Sequence, residues 1–88
     1  MSWTCRLSRQ AAKQLHSLPR ERLERIAGAI DEIGDDPTLG DVRPIKSGRL
    51  KGALRKRIGA YRIVYSVDPD AREANIAAIL RRGETTYR

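Results

Sequence analysis

The sequence predicts an α+β domain: two N-terminal helices packed on one face of a small, mainly antiparallel sheet, in the order β-α-α-β-β-β, with the other face open and basic. Three observations predict it. Two apolar stripes at helical spacing lie in the first part of the chain, and alternating, β-branched segments follow in the second. Between Val42 and Val67 there are eight Lys or Arg residues (Arg43, Lys46, Arg49, Lys51, Arg55, Lys56, Arg57 and Arg62) and no Asp or Glu. A run of helices followed by a run of strands is the α+β arrangement. Two helices with one apolar face each cover only one side of a sheet, which leaves the other side to the cations.

Trp3, Cys5 and Leu7 alternate with Thr4 and Arg6, which reads as a first strand. Ser8 is placed to cap the helix that follows, in which Ala11, Ala12, Leu15 and Leu18 share one face while Arg9, Gln10, Lys13, Gln14 and Ser17 point outward. Pro19 ends this helix and suits the first turn of the next, where a missing N–H costs nothing. Leu23, Ile26, Ala27, Ile30 and Ile33 stripe the second helix, and Gly34 followed by Asp35-Asp36-Pro37 terminates it. Residues 38–51, with Gly40, Pro44 and Gly48, read as an irregular connection anchored by Ile45 or Leu50. Strands at Ala53–Ile58 and Tyr61–Val67 are joined by a tight Gly59-Ala60 hairpin. Asp68-Pro69-Asp70-Ala71 is a turn, and Glu73–Leu80 is the last strand.

At 88 residues the chain is one domain, residues 1–88. It contains no Phe, so its core is built from Leu, Ile, Val and Ala with Trp3 and three Tyr. The lone Cys5 excludes an intramolecular disulfide and a zinc cluster, and it fits a reducing cytoplasm. No apolar run reaches the length of a membrane helix, and the first residues do not have the form of a signal peptide. A net charge of +7 points to an acidic partner such as nucleic acid, the ribosome, an anionic membrane or an acidic protein.

Side-chain alternation sorts the hairpin. Tyr61, Ile63, Tyr65 and Val67 face the core with Leu54 and Ile58, which sends Arg55, Arg57 and Arg62 to the opposite surface. Lys56 falls on the inward side, and its stem is expected along the sheet edge with the ammonium in water. A solvated face is served by mixed signs. Clustered cations without carboxylates repel one another, and a phosphate chain that binds them releases counterions. The residues by themselves describe a basic α+β domain that holds nucleic acid.

The segments Leu50-Lys51-Gly52, Arg55-Lys56-Arg57, Gly59-Ala60-Tyr61-Arg62, Ile63-Val64 and Tyr65, ending in "RRGETTYR", together resemble the RelE/ParE superfamily of bacterial toxins over the whole chain. The resemblance implies one of two activities. RelE-like members cut messenger RNA in the ribosomal A site, whereas ParE-like members poison DNA gyrase. The cleaving residues of the RelE-like branch correspond here to Arg55 and Arg57 on the second strand of the familiar core, Arg62 of the hairpin, Arg82 after the last strand and Tyr87. Their presence favours a ribosome-dependent mRNA endoribonuclease, with Lys46, Arg49, Lys51 and Arg81 as further RNA-binding residues. It also implies a cognate antitoxin whose acidic or amphipathic segment wraps the domain, with Trp3 and the helix faces available to that interface. A gyrase poison and a non-catalytic RNA- or ribosome-binding module are the alternatives.

The implied reaction is attack by a ribose 2′-hydroxyl on the adjacent phosphate, giving a 2′,3′-cyclic phosphate and a 5′-hydroxyl. No metal and no cofactor is called for. Arg62 and Arg82 suit stabilisation of the phosphorane, Arg55 and Arg57 suit the flanking backbone, and Tyr87 can exchange protons or stack on a base. The chain departs from the pattern in two ways: Arg81 stands where many RelE-like chains have His, and Arg55 and Arg57 stand where some have Lys. Arginine holds phosphate well but makes a poor base. His16, the only imidazole, lies in the first helix away from the basic strands.

Overall fold

The computed structural model describes residues 2–81, so the expected roles of Arg82 and Tyr87 concern positions outside the described residues. Five strands and two helices follow in the order β1 (Thr4–Leu7), α1 (Arg9–His16), α2 (Arg20–Asp35), β2 (Val42–Pro44), β3 (Leu54–Ile58), β4 (Tyr61–Asp68) and β5 (Glu73–Arg81). They form one sheet in the order β1-β5-β4-β3-β2. β1 runs parallel to β5 and every other pairing is antiparallel. The α+β arrangement is as the sequence predicts. The connection after α2 adds one short strand, β2, where an irregular segment was expected.

Ser8 caps α1 as its position predicts, its hydroxyl accepting from the Ala11 N–H at 3.0 Å while donating to the Ala77 carbonyl at 2.9 Å. Gln14 does not point outward. Its side-chain oxygen accepts from the Ile79 N–H at 2.7 Å. The reason is the sheet edge: β1 accompanies β5 only as far as the pair Leu7 and Ile76, so Ser8 and Gln14 satisfy backbone groups of β5 beyond it. Pro19 is the N-cap of α2, one place before its first helical residue. Gly34 does not end α2, which runs on to Asp35 and is capped at Asp36 in an extended conformation. Gly34 is buried inside the last turn, where its carbonyl accepts from the Trp3 N–H at 2.9 Å.

The main core lies between the helices and the inward face of the sheet. Ile26, Ala29, Ile30 and Ile33 of α2 and Ala11 of α1 meet Tyr61, Ile63, Tyr65, Ile76 and Ile79. Fully burying side chains of this size is worth about 1.5–3 kcal/mol each, so this interface sets the pose of the strands. The β3–β4 loop is the Gly59-Ala60 pair, and Gly59 takes a φ of +56°, which suits the first loop position of a II′ turn.

The segment between α2 and β2 is pinned from below. Lys56 points inward as expected, but its ammonium is not in water. The residue is 1% exposed, and its Nζ lies 2.6 Å from the Leu39 carbonyl and 2.8 Å from Glu32 Oε1. Alternation gives the side of the sheet, while a carboxylate from α2 is what allows a charge to stay there. The Tyr65 hydroxyl donates to the Pro37 carbonyl beside it, and burial, then the Asp36 carboxylate, pushes its phenol up to about 12. The Thr38 N–H and hydroxyl donate to Asp36 and hold its carboxyl below the usual range. Gly40 takes a φ of +86°, and a Cβ there would stand 3.1 Å from Lys56 Nζ.

Candidate nucleic-acid interface

Residues opposite one another on paired strands point to the same side of a sheet. On the side away from the helices, one row of partners is Arg43, Arg55, Val64 and Ala78 across β2, β3, β4 and β5. The next row is Arg57, Arg62 and Leu80 across β3, β4 and β5. Two arginine pairs, Arg43 with Arg55 and Arg57 with Arg62, therefore stand directly across from each other. Like charges in that position destabilise a sheet, and an anion laid over them removes the penalty.

This face carries the expected arginines and, beside them, a second and smaller apolar cluster. Val64, Ala78 and Leu80 are buried, with Ile45, Leu50, Ala53 and Ala77 packed against them. Residues 45–53 thus fold back over part of the sheet, which answers how the connection is anchored: both Ile45 and Leu50 do it. A register shift between β4 and β5 at Val64 and Tyr65 leaves Ala77 as an extra residue on β5 next to this cluster. Alongside lies an open groove of about 430 Å³ bordered by Arg49, Leu50, Lys51, Ala53, Ser66 and Ala77.

The sequence-derived site residues fall into three groups. Arg55, Arg57 and Arg62 come together on the outer face, Arg57 exposed and Arg62 half-buried. Arg49 and Lys51 border the groove on the same side, and Lys46 is exposed on the segment that leads to it. Arg81 is different: it opposes Tyr61 and so leaves the sheet on the helix side, at the end of β5. His16 is exposed at the end of α1.

Two participants were missed. Arg43 was counted among the cations but not assigned to the site, because a strand of three residues has too little alternation to reveal its facing side. Asp41 lies one residue before the carboxylate-free window and corrects the expectation that no carboxylate reaches these arginines. Its Oδ1 is 3.4 Å from Arg55 Nη1 and 4.0 Å from Arg43 Nε. The Arg55 side chain is only 12% exposed, so this pair is better shielded than an ordinary surface bridge.

A family description, ParE toxin of type II toxin-antitoxin system (parDE), matches residues 5–86. The chain belongs to this family of type II toxins. No curated protein sequence matches the toxin significantly. Among solved structures, the toxin is similar to the archaeal RelE–RelB complex of Pyrococcus horikoshii, at 26% identity and a TM-score of 0.81, covering 97% of this chain and 100% of that one. The RelBE2 toxin–antitoxin complex of Mycobacterium tuberculosis matches at 24% identity with a TM-score of 0.81 over 93% of this chain and 100% of that one, a likeness of fold. The isolated Escherichia coli RelE toxin shares the fold at 13% identity, with a TM-score of 0.75 over 96% of this chain and 88% of that one. The family match, with the Pyrococcus horikoshii neighbour, places the toxin in the RelE/ParE superfamily that its hairpin residues resemble.

Proposed function

We propose that this type II toxin is a ribosome-dependent mRNA endoribonuclease, held inactive by a cognate antitoxin and acting in the cytoplasm. The observation that carries the reading is the pair of directly opposed arginines, Arg57 and Arg62, on the outer face of the sheet with Arg43 and Arg55 in the adjacent row. Four arginines in two adjacent rows on one face suit successive phosphates of an RNA backbone, whose binding releases counterions. In the proposed reaction the 2′-hydroxyl attacks the neighbouring phosphorus. The P–O5′ bond breaks, leaving a 2′,3′-cyclic phosphate on one fragment and a 5′-hydroxyl on the other. Arg62 stabilises the added charge on the phosphorane and Arg55 and Arg57 grip the flanking backbone. Arg82 and Tyr87 keep the roles that the resemblance implies, Tyr87 supplying the exchangeable proton that arginine cannot. With no strong base in this set, the rate depends on how firmly the substrate is held, which favours mRNA positioned in the A site over free RNA. The archaeal RelE relative was solved with RelB, which supports a protein antitoxin as partner here.

The test is mapping of RNA ends after brief induction in cells, with wild type and Arg62→Ala in parallel. Cuts within translated codons bearing 5′-hydroxyl ends, and their disappearance in the variant while antitoxin binding persists, are the expected results. The family description names a ParE toxin, and the activity that the resemblance implies for ParE-like members, action on DNA gyrase, is the second reading. Induction that leaves messages intact while provoking a DNA-damage response would establish that reading and overturn the nuclease.

A further inference from the structure

We propose that Arg43 and Arg55 form a phosphate subsite in which the carboxylate of Asp41 is the resident counter-ion. The inference rests on the reading of this face as an RNA-binding surface and adds to the hairpin's Arg55 two residues from outside the hairpin, Arg43 and Asp41. A single oxygen, Asp41 Oδ1, is shared by Arg55 Nη1 at 3.4 Å and Arg43 Nε at 4.0 Å. Both contacts are longer than a well-formed charge-assisted hydrogen bond, so one carboxylate spans two guanidinium groups without fully satisfying either. A phosphodiester has two free oxygens and meets two donors at once.

The backbone under Asp41 is fixed while its carboxylate is half-exposed. The Asp41 carbonyl accepts from the Arg57 N–H at 3.0 Å, and Lys56 and Tyr65 hold Leu39 and Pro37 just before it. The side chain can therefore turn away into water without disturbing β2 or β3. The Arg43 contact is an exposed ion pair, which contributes little, and the Asp41 carboxylate is itself open to water, so an incoming anion reaches it even though Arg55 is shielded. Arg43 and Arg55 lie on the same face as Arg57 and Arg62, one pleat repeat (about 7 Å) along β3. An anion chain crossing the second pair runs onto the first by continuing along the strand. Asp41 then sets affinity by competition, lowering binding of weak or isolated anions while leaving room for a chain that engages both rows.

The experiment has two arms, both on the full chain and both comparing wild type, Asp41→Asn, Asp41→Glu and Arg43→Gln. The first arm titrates inorganic phosphate at constant ionic strength and follows the Nε–H resonances of Arg43 and Arg55. In Asp41→Asn both are expected to respond at about tenfold lower phosphate than in wild type, with Asp41→Glu restoring the wild-type response and Arg43→Gln weakening it. The second arm measures binding of an oligouridylate over a range of salt. Asp41→Asn is expected to bind several-fold more tightly, with a salt dependence steeper by about 0.7, the increment of one further cation on a single strand.

A carboxylate that merely props Arg55 in place gives the opposite sign, weaker binding in Asp41→Asn. That result, or an unchanged phosphate response, overturns the subsite. The two readings fail separately. If the phosphate arm behaves as expected but no variant binds RNA, the nuclease reading fails and the anion site stands. If RNA binds and Asp41→Asn alters neither arm, the subsite falls and the nuclease reading remains.

Discussion

Removing the carboxylate of Glu32 should unfold this protein far more readily than removing the lysine it pairs with. Lys56 is 1% exposed, whereas the Glu32 side chain is 52% exposed, so the two partners carry unequal desolvation costs. In Glu32→Ala the ammonium keeps the Leu39 carbonyl hydrogen bond and a longer-range attraction to the Asp36 carboxylate. Stripping a buried charge of its partner costs about 3–5 kcal/mol, and because water can enter from the vacated Glu32 side we expect a cost at or just below that range, about 2–3 kcal/mol. Lys56→Met keeps most of the volume and removes the charge together with its burial cost. It forfeits one carbonyl hydrogen bond, about 1 kcal/mol. In the Lys56→Met background Glu32→Ala should then be nearly silent. A domain of this size has about 4–13 kcal/mol in total, so Glu32→Ala lowers Tm by about 10–20 °C. Urea unfolding followed by far-UV circular dichroism on the two single variants and the double variant closes the cycle. Equal cost of Glu32→Ala in both backgrounds, or a cost near zero in the wild type, would refute the claim that this pair clamps the segment before β2.

Two further outcomes follow from the same geometry. The Tyr65 phenol is raised to about 12 in the fold against about 10 in an unfolded chain, so its contribution is fully present below pH ~10 and is lost as pH rises through ~12. The urea midpoint should therefore fall between pH 8 and pH 11 more in wild type than in Tyr65→Phe, and an identical fall in both would count against a buried, proton-retaining phenol. Gly59→Ala places a Cβ at a φ of +56° and 3.3 Å from the Arg25 guanidinium, and a loss of about 1–2 kcal/mol in urea unfolding is expected.

What the sequence reveals and what it hides divide along a physical line. Period-2 alternation over β3 and β4 is long enough to assign Arg55, Arg57 and Arg62 to one side, and the paired strands keep them there. The stripe of α2 and the capping by Ser8 are likewise local signals, and both appear in the fold. Contacts between elements are not local. Nothing in the strand pattern says that Glu32, from α2, will meet Lys56, or that Gln14 will turn inward to serve a strand end 65 residues away. β2 escaped for a different reason: three residues carry no readable period, and with β2 went the facing of Arg43. The partnership of Arg81 with Tyr61 also depends on register, which a shift between β4 and β5 alters midway along the pair.

These hidden contacts bear on the proposed function because they separate the side that holds the fold together from the side proposed to bind. Stability is concentrated on the helix side, where Ile26, Ile30 and Ile33 cover Ile63, Tyr65 and Ile76. On the far side, among the described residues, a smaller apolar cluster around Val64 and Leu80 lies beside the two arginine pairs. An anion that binds this basic surface only in the folded state raises stability by mass action. On the proposed reading, substrate phosphates and the acidic side chains of an antitoxin compete for the same guanidinium groups, and a protein that covered these rows would inhibit without distorting the fold. Asp41 is a small internal instance of the same competition, placed where the clamp of Lys56 and Tyr65 keeps it within reach of two of the four arginines.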